Sequence, residues 1–171
     1  TNSIVDKEGK YNGWQMNPDE LQNRDVKFFD EVFSQISKNF NLDFDRIYAV
    51  GHSNGSRFVN VLWKMRPEKF AAFVTVAGPG GIWLKSAPQK SVWISFGKND
   101  KIVPYKIQKF SSKQYLKFFE ANESTAQTNG EITSYKTSEN KEIIIEDRNA
   151  GHEFPQNSIP KMVEFLKRNH K

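Results

Sequence analysis

The chain predicts an α/β protein built on a mostly parallel sheet with helices on both faces. Three observations carry that expectation. Short runs at residues 46–50 (apolar from Ile47), 73–77 and 92–96 are each bounded by turn residues, as strands buried on both faces are. Stretches with helical spacing separate most of these runs. The first run leads directly into Gly51-His52-Ser53-Asn54-Gly55, after which a helical pattern begins. Strand, tight turn and helix in that order place a serine at a sharp, exposed bend.

Taken in order, residues 1–15 are polar and without periodicity. Asn17-Pro18-Asp19-Glu20 then reads as a helix start, with Asn as N-cap, Pro at the first helical position and Glu three residues after the cap. Val26, Phe29, Val32, Phe33, Ile36 and Phe40 continue the helical stripe. Residues 41–45 form a turn before the first strand. After the serine bend, Phe58, Val59, Leu62, Trp63 and Met65 mark a helix that stops near Pro67. The second strand closes on Gly78-Pro79-Gly80-Gly81 and the third on Gly97. Residues 107–121 read as a helix with Ile107, Phe110, Tyr115, Leu116 and Phe119 inward. Residues 132–136 and 142–146 bracket Ser138-Glu139-Asn140 as a hairpin. A last helix at 158–170 turns Ile159, Met162, Val163 and Leu166 inward.

Composition narrows the function classes. The 171 residues are 37% hydrophobic and 26% charged, which suits one globular domain with a substantial core. No apolar stretch approaches the roughly 18 residues of a membrane span, so no membrane partner is expected. The net charge is +5, but the lysines are scattered, which describes a solvated surface and no nucleic-acid partner. The chain has no Cys, which excludes disulfides and thiolate metal sites and leaves the redox compartment open.

A serine nucleophile needs a base, and the base needs an orienting acid. In a strand-turn-helix fold of this kind the chain order is Ser, acid, His. Of three histidines, His52 is next to Ser53 and its side chain should point elsewhere, while His170 is close to the end of the sequence. His152, in Ala150-Gly151-His152-Glu153-Phe154-Pro155, follows the last strand and is the expected base. Asp100, in Gly97-Lys98-Asn99-Asp100 after the third strand, is the expected acid. Asp147 competes, but it sits on the same loop as His152 and would require the chain to double back. The backbone N–H of Asn54 is the expected oxyanion donor. Trp14, Trp63 and Trp83 are aromatic candidates for a cleft, and equally for core packing. Trp83 leads because it follows the Gly-rich loop.

Three motifs together carry a resemblance. They are Asp43-Phe44-Asp45-Arg46-Ile47-Tyr48 leading into Gly51-His52-Ser53-Asn54-Gly55, then Gly97-Lys98-Asn99-Asp100-Lys101-Ile102-Val103-Pro104-Tyr105, then Gly151-His152-Glu153-Phe154-Pro155. From about Gly13 onward the chain resembles the polyhydroxybutyrate depolymerase and feruloyl esterase group of the α/β-hydrolases. The resemblance implies an α/β-hydrolase-like domain and carboxylic ester hydrolysis without cofactor or metal. It further implies a small-molecule or polymer-linked ester substrate and a secreted or periplasmic setting. The chain departs from the group at Phe154, where Trp is usual after Gly-His-x. With Trp83, Phe154 is expected to wall the substrate cleft.

The larger departure is at the start. Similar proteins carry several more strands there, and a His-Gly-Gly-like loop with a second oxyanion N–H. No such loop precedes Ser53. The expectation is that residues 1–171 are the C-terminal portion of a single domain that lacks its first strands. The strand before Ser53 would then be an exposed edge. The second donor would come from a missing N-terminal segment, a second chain, or the polar stretch 1–15. Two other functions compete with the esterase: a non-catalytic or weakly active fragment or binding module that keeps the triad, and a different triad chemistry such as peptidase or acyltransferase.

Overall fold

The computed structural model describes residues 12–171. Its centre is a six-stranded sheet in which β1 (Tyr48–His52), β2 (Ala72–Val76), β3 (Ser91–Gly97) and β6 (Glu142–Arg148) run parallel. β5 (Ile132–Thr137) pairs antiparallel with β6, and β4 (Ala121–Asn129) antiparallel with β5. The order across the sheet is β1-β2-β3-β6-β5-β4. Four helices cover it: α1 (Arg24–Asn39), α2 (Asn54–Met65), α3 (Tyr105–Phe118) and α4 (Ile159–Arg168).

The central strands are buried on both faces, and every residue of β2 and β3 is buried. One apolar layer joins Val61, Trp63, Phe73, Phe96, Tyr115 and Phe119 beneath α2 and α3. Trp63 stacks between Phe73 and Phe119, with ring centroids 4.9 and 4.5 Å away. The opposite layer joins Val74, Val76, Trp93, Ile144, Met162 and Phe165 beneath α4. Among the described residues β1 is the outermost strand on its side of the sheet, and its Val50 is 51% exposed. No helix among the described residues is long and apolar enough to cross a membrane.

Several elements differ from expectation. α1 begins at Arg24, not at the Asn17 cap. The Glu20 carboxylate does reach back to the N–H groups of Met16 and Asn17, at 2.7 and 3.1 Å. The helix cannot propagate from there because Leu21, Gln22 and Asn23 all take left-handed backbone angles. Its first N–H groups are satisfied instead by Gln15, whose Oε1 accepts from Asp25 and Val26 at 3.2 and 3.4 Å. α3 is rotated relative to the expected face: Ile107 and Phe110 are exposed, and Gln108, Ser111, Ser112 and Tyr115 point inward. α4 buries Met162 and Phe165, while Ile159 and Val163 are half exposed. Phe165 meets Trp93 edge-on at 5.9 Å, which fixes that rotation. α3 ends at Phe118, three residues before the expected end at 121, and β4 begins at Ala121. Apart from Ala121 and Ala126, β4 is polar, and it is largely exposed, as an edge strand that resists further pairing should be.

Candidate active site

The serine bend forms as its residues demand. Ser53 has φ 56° and ψ −118°, a strained conformation for a residue with a side chain. The strain is held by packing on either side. Ser53 N–H donates to the Val76 carbonyl of β2 at 2.8 Å, and Ser56 Oγ donates to the Gly78 carbonyl at 3.1 Å. A side chain at position 51 would collide with the Gly55 carbonyl, so the bend needs glycine there.

Three strand ends deliver three side chains to one point. Ser53 follows β1, Asp100 follows β3 and His152 follows β6. Ser53 Oγ lies 2.8 Å from His152 Nε2, and His152 Nδ1 lies 2.8 Å from Asp100 Oδ2. Because a carboxylate only accepts, Nδ1 carries the hydrogen and Nε2 is free to accept from the serine hydroxyl. The loops bearing Asp100 and His152 extend the strand pairing past β3 and β6. Lys98 N–H donates to the Arg148 carbonyl at 2.8 Å, and Asn99 N–H to the Ala150 carbonyl at 2.9 Å. Gly97 permits this, since a Cβ there would strike the carbonyls of Ala150 and Gly151.

The Asp100 side chain is fully buried and fully partnered. Oδ1 accepts from the N–H groups of Ile102 and Val103 at 2.8 and 2.9 Å. Oδ2 accepts from Gln108 Nε2 at 2.9 Å as well as from His152. Burial disfavours the charged carboxylate and acts to raise its pKa. The hydrogen bonds from His152, Val103, Ile102 and Gln108 outweigh that and hold the carboxyl below the usual carboxylate range. The rival Asp147 faces elsewhere. Its Oδ2 accepts from Tyr105 OH at 2.8 Å, and Lys109 Nζ is 3.9 Å away. It lines a groove of about 550 Å³ along α3 with Phe96, Leu116 and Tyr135, a groove that holds none of Ser53, Asp100 or His152.

Asn54 opens α2, so its backbone N–H has no partner within the helix and stays available beside Ser53. Its side chain clamps the preceding chain: Oδ1 accepts from Trp14 N–H at 2.6 Å and Nδ2 donates to the Trp14 carbonyl at 3.0 Å. Trp14 in turn stacks on Phe58 at 4.9 Å. Of the polar stretch 1–15, residues 1–11 lie outside the described residues. Phe154 packs against the apolar layer beneath α4 and meets the His52 ring edge-on at 6.1 Å. Trp83 sits in a short 3-10 turn, Ile82–Ser86, where its Nε1 donates to Asn17 Oδ1 at 3.4 Å. No hydrogen bond or ring contact among the described residues ties Trp83 to the three central side chains.

Two residues that sequence reasoning passed over belong to the site. Gln108 is the second support of Asp100, and its signal was a polar residue one turn into the helix after the acid loop. Arg148 is buried: Nε donates to Ser95 Oγ at 3.0 Å and Nη2 to the Glu153 carbonyl at 2.8 Å, bracing the His152 loop. Among the described residues no three metal-ligating side chains converge as a metal ion would require.

Solved structures share this architecture. An acetyl xylan esterase from Aspergillus awamori superposes with a TM-score of 0.62 at 17% identity, over 82% of this chain and 66% of that one. The Bacillus cereus carboxylesterase gives 0.57 at 18% identity, over 84% and 59%. The fold is that of the α/β-hydrolases. In sequence, acetylxylan esterase A of Aspergillus oryzae is 37% identical over 60 residues, 34% of this chain and 20% of that protein. A bifunctional acetylxylan esterase/xylanase of Neocallimastix patriciarum is 28% identical over 124 residues, 71% of this chain and 18% of that protein. The chain thus spans about a fifth of the length of these curated relatives. No family model matches it.

Proposed function

We propose that the protein is a carboxylic ester hydrolase that acts through an acyl-enzyme on Ser53. The observation that carries this is the unbroken relay from Ser53 Oγ through His152 to Asp100, with both hydrogen bonds at 2.8 Å. Ser53 Oγ attacks the ester carbonyl while His152 Nε2 takes its proton. The tetrahedral intermediate collapses, and the same proton leaves with the alcohol. Water then repeats the sequence on the acyl-serine and releases the acid. Asp100 holds Nδ1–H in place and stabilises the imidazolium that forms. The Asn54 N–H at the start of α2 donates to the oxyanion.

One N–H is half of what a tetrahedral oxyanion takes up. The second donor is assigned to the stretch 1–15 or to polypeptide that pairs with β1, the outermost strand among the described residues. The substrate class follows from the relatives, which are named for acetylxylan: a short acyl ester on a polysaccharide, ahead of feruloyl or polyhydroxyalkanoate esters. Phe154 and Trp83 are proposed as aromatic walls for it.

A fluorophosphonate probe tests the nucleophile. It should label the protein once, at Ser53, and Ser53→Ala should abolish labelling. Labelling at another serine with Ser53 untouched overturns the assignment. A panel of p-nitrophenyl acetate, acetylated xylan and methyl ferulate then ranks the substrates. A preference for methyl ferulate would overturn the acetyl-ester reading alone.

A further inference from the structure

We infer that His52, the residue before the nucleophile, positions the base: its imidazole donates a hydrogen bond to the main-chain carbonyl of His152. This inference rests on the Ser53–His152–Asp100 reading and adds a fourth residue to it.

His52 is the last residue of β1. Ala49 and Gly51 of that strand are buried, while Tyr48, Val50 and His52 alternate onto its more open face. From there His52 Nε2 lies 2.6 Å from the His152 carbonyl oxygen. A backbone carbonyl only accepts, so Nε2 must carry the hydrogen. The two imidazoles stand 4.9 Å apart at 49°, a contact that accompanies the hydrogen bond.

The bond matters because of where the His152 loop starts and where it must end. Strands in a sheet are spaced by about 4.8 Å, so β6 lies about 14 Å from β1, three strands away in this order. The loop therefore reaches across β3 and β2 to bring its imidazole to Ser53. Its base is well held. The Ala150 carbonyl accepts from Asn99, Gly151 N–H donates to Glu153 Oε1, and Arg148 donates to the Glu153 carbonyl. Its tip is different: His52 supplies the backbone anchor at residue 152 itself. Asp100 fixes the ring at Nδ1, and His52 fixes the main chain from which the ring hangs. Since β1 also carries Ser53, the tie joins the base to the strand that bears the nucleophile.

Imidazole donates through Nε2–H in this tautomer and equally when protonated, so the tie persists across the working pH range. A glutamine places its carboxamide nitrogen close to the Nε2 position and retains a donor. An alanine does not.

The test compares wild type, His52→Ala and His52→Gln of the intact protein, by p-nitrophenyl acetate turnover and by the second-order rate of fluorophosphonate labelling. His52→Ala should lower kcat and the labelling rate about tenfold, with KM within about twofold, because the loss is one of alignment and not of substrate contact. His52→Gln should restore both rates to within about threefold of wild type. The melting temperature of each variant, read by circular dichroism, should stay within about 3 °C of wild type, since His52 is half exposed. Unchanged rates in His52→Ala overturn the inference, and so does an equal loss in both variants, which would mean that donation to the carbonyl is not the role. A wild-type protein that fluorophosphonate does not label overturns the nucleophile assignment itself, and the role of His52 with it. Labelling at Ser53 in wild type with no effect of His52→Ala removes only the role of His52.

Discussion

Replacing Asp100 by Asn is the sharpest perturbation of the site, because the surrounding partners dictate how the new side chain must sit. The carboxylate now accepts four hydrogen bonds, two on each oxygen. Asn has one oxygen. The two backbone N–H groups of Ile102 and Val103 cannot turn away, so that oxygen is drawn to the Oδ1 position. The amide nitrogen then occupies the Oδ2 position and points donors at Gln108 and His152. Gln108 can relieve its half by turning its amide over, since its Oε1 is buried without a partner, but it then loses the 2.7 Å bond from Nε2 to the Val103 carbonyl. His152 can accept only by losing the hydrogen from Nδ1. Its Nε2 then carries that hydrogen and cannot take the proton of Ser53.

A base in the wrong tautomer should lower kcat by about 10⁴-fold, equivalent to about 5 kcal/mol of transition-state stabilisation. One buried hydrogen bond is lost and others are rearranged, so stability should fall by about 1–3 kcal/mol. For a domain of this size that lowers the melting temperature by about 2–12 °C. Initial rates on p-nitrophenyl acetate at pH 7.5 and a circular dichroism melt separate the two effects. A loss of less than tenfold in a folded Asp100→Asn variant would refute the orientation argument. So would a larger loss in Asp147→Asn, whose carboxylate is engaged with Tyr105.

Other substitutions probe the supports. Asp147→Asn and Tyr105→Phe should each leave kcat within about twofold, because neither group contacts His152 in the described residues. Gln108→Leu removes one donor from Oδ2, so Asp100 should titrate closer to the ordinary carboxylate range, the acid limb of kcat/KM should move to higher pH, and stability should fall by about 1.5–3 kcal/mol. Gly97→Ala places a methyl group against the Ala150 and Gly151 carbonyls, and the displaced His152 loop should cost about 10² in kcat. The lowered titration of Asp100 sets the sign of a pH effect on stability. Its contribution is complete above about pH 4, the ordinary aspartate value, and is lost as pH falls through the lower folded value. The gap in melting temperature between wild type and Asp100→Asn should therefore be flat from about pH 5 to 8 and close below pH 4.

The parallel strands and the helix after Ser53 were legible because their signals are local. An apolar run of five residues closed by glycine has few other uses, and the run before Gly51 leads into a bend that only a strand can enter. The errors fell where distant residues decide a local outcome. Asn17 and Glu20 form half of a helix cap, yet α1 waits for a cap from Gln15 and starts at Arg24. In α3 the apolar residues Ile107 and Phe110 lost the inner face to Gln108, Ser111 and Ser112. Those polar groups are needed inward: Gln108 holds Asp100, and Ser111 Oγ accepts from Gly80 N–H at 2.9 Å. β4 escaped notice because an exposed edge strand of Asn, Glu, Ser, Thr and Gln with two alanines has no apolar period to read.

The same division runs through the site. Ser53, Asp100 and His152 each follow a strand with its own turn signal, and it is loop placement that separates the two acids: Asp100 follows the third strand, whereas Asp147 reads as sharing the loop of His152. What the sequence does not display is how those side chains are held. The supports of Asp100 are two backbone N–H groups and a glutamine. The support of the His152 main chain is a histidine 100 residues earlier, set against a carbonyl that every residue type possesses. A hydrogen bond to a backbone carbonyl leaves no mark on the sequence of the accepting segment, so such a partner becomes visible only once the sheet order has brought β1 and the β6 loop together. Adjacency to Ser53 therefore predicted only that the His52 side chain points elsewhere, and not what it meets. The β pleat does turn its ring away from the serine hydroxyl, and in doing so turns it toward the loop on which the base depends.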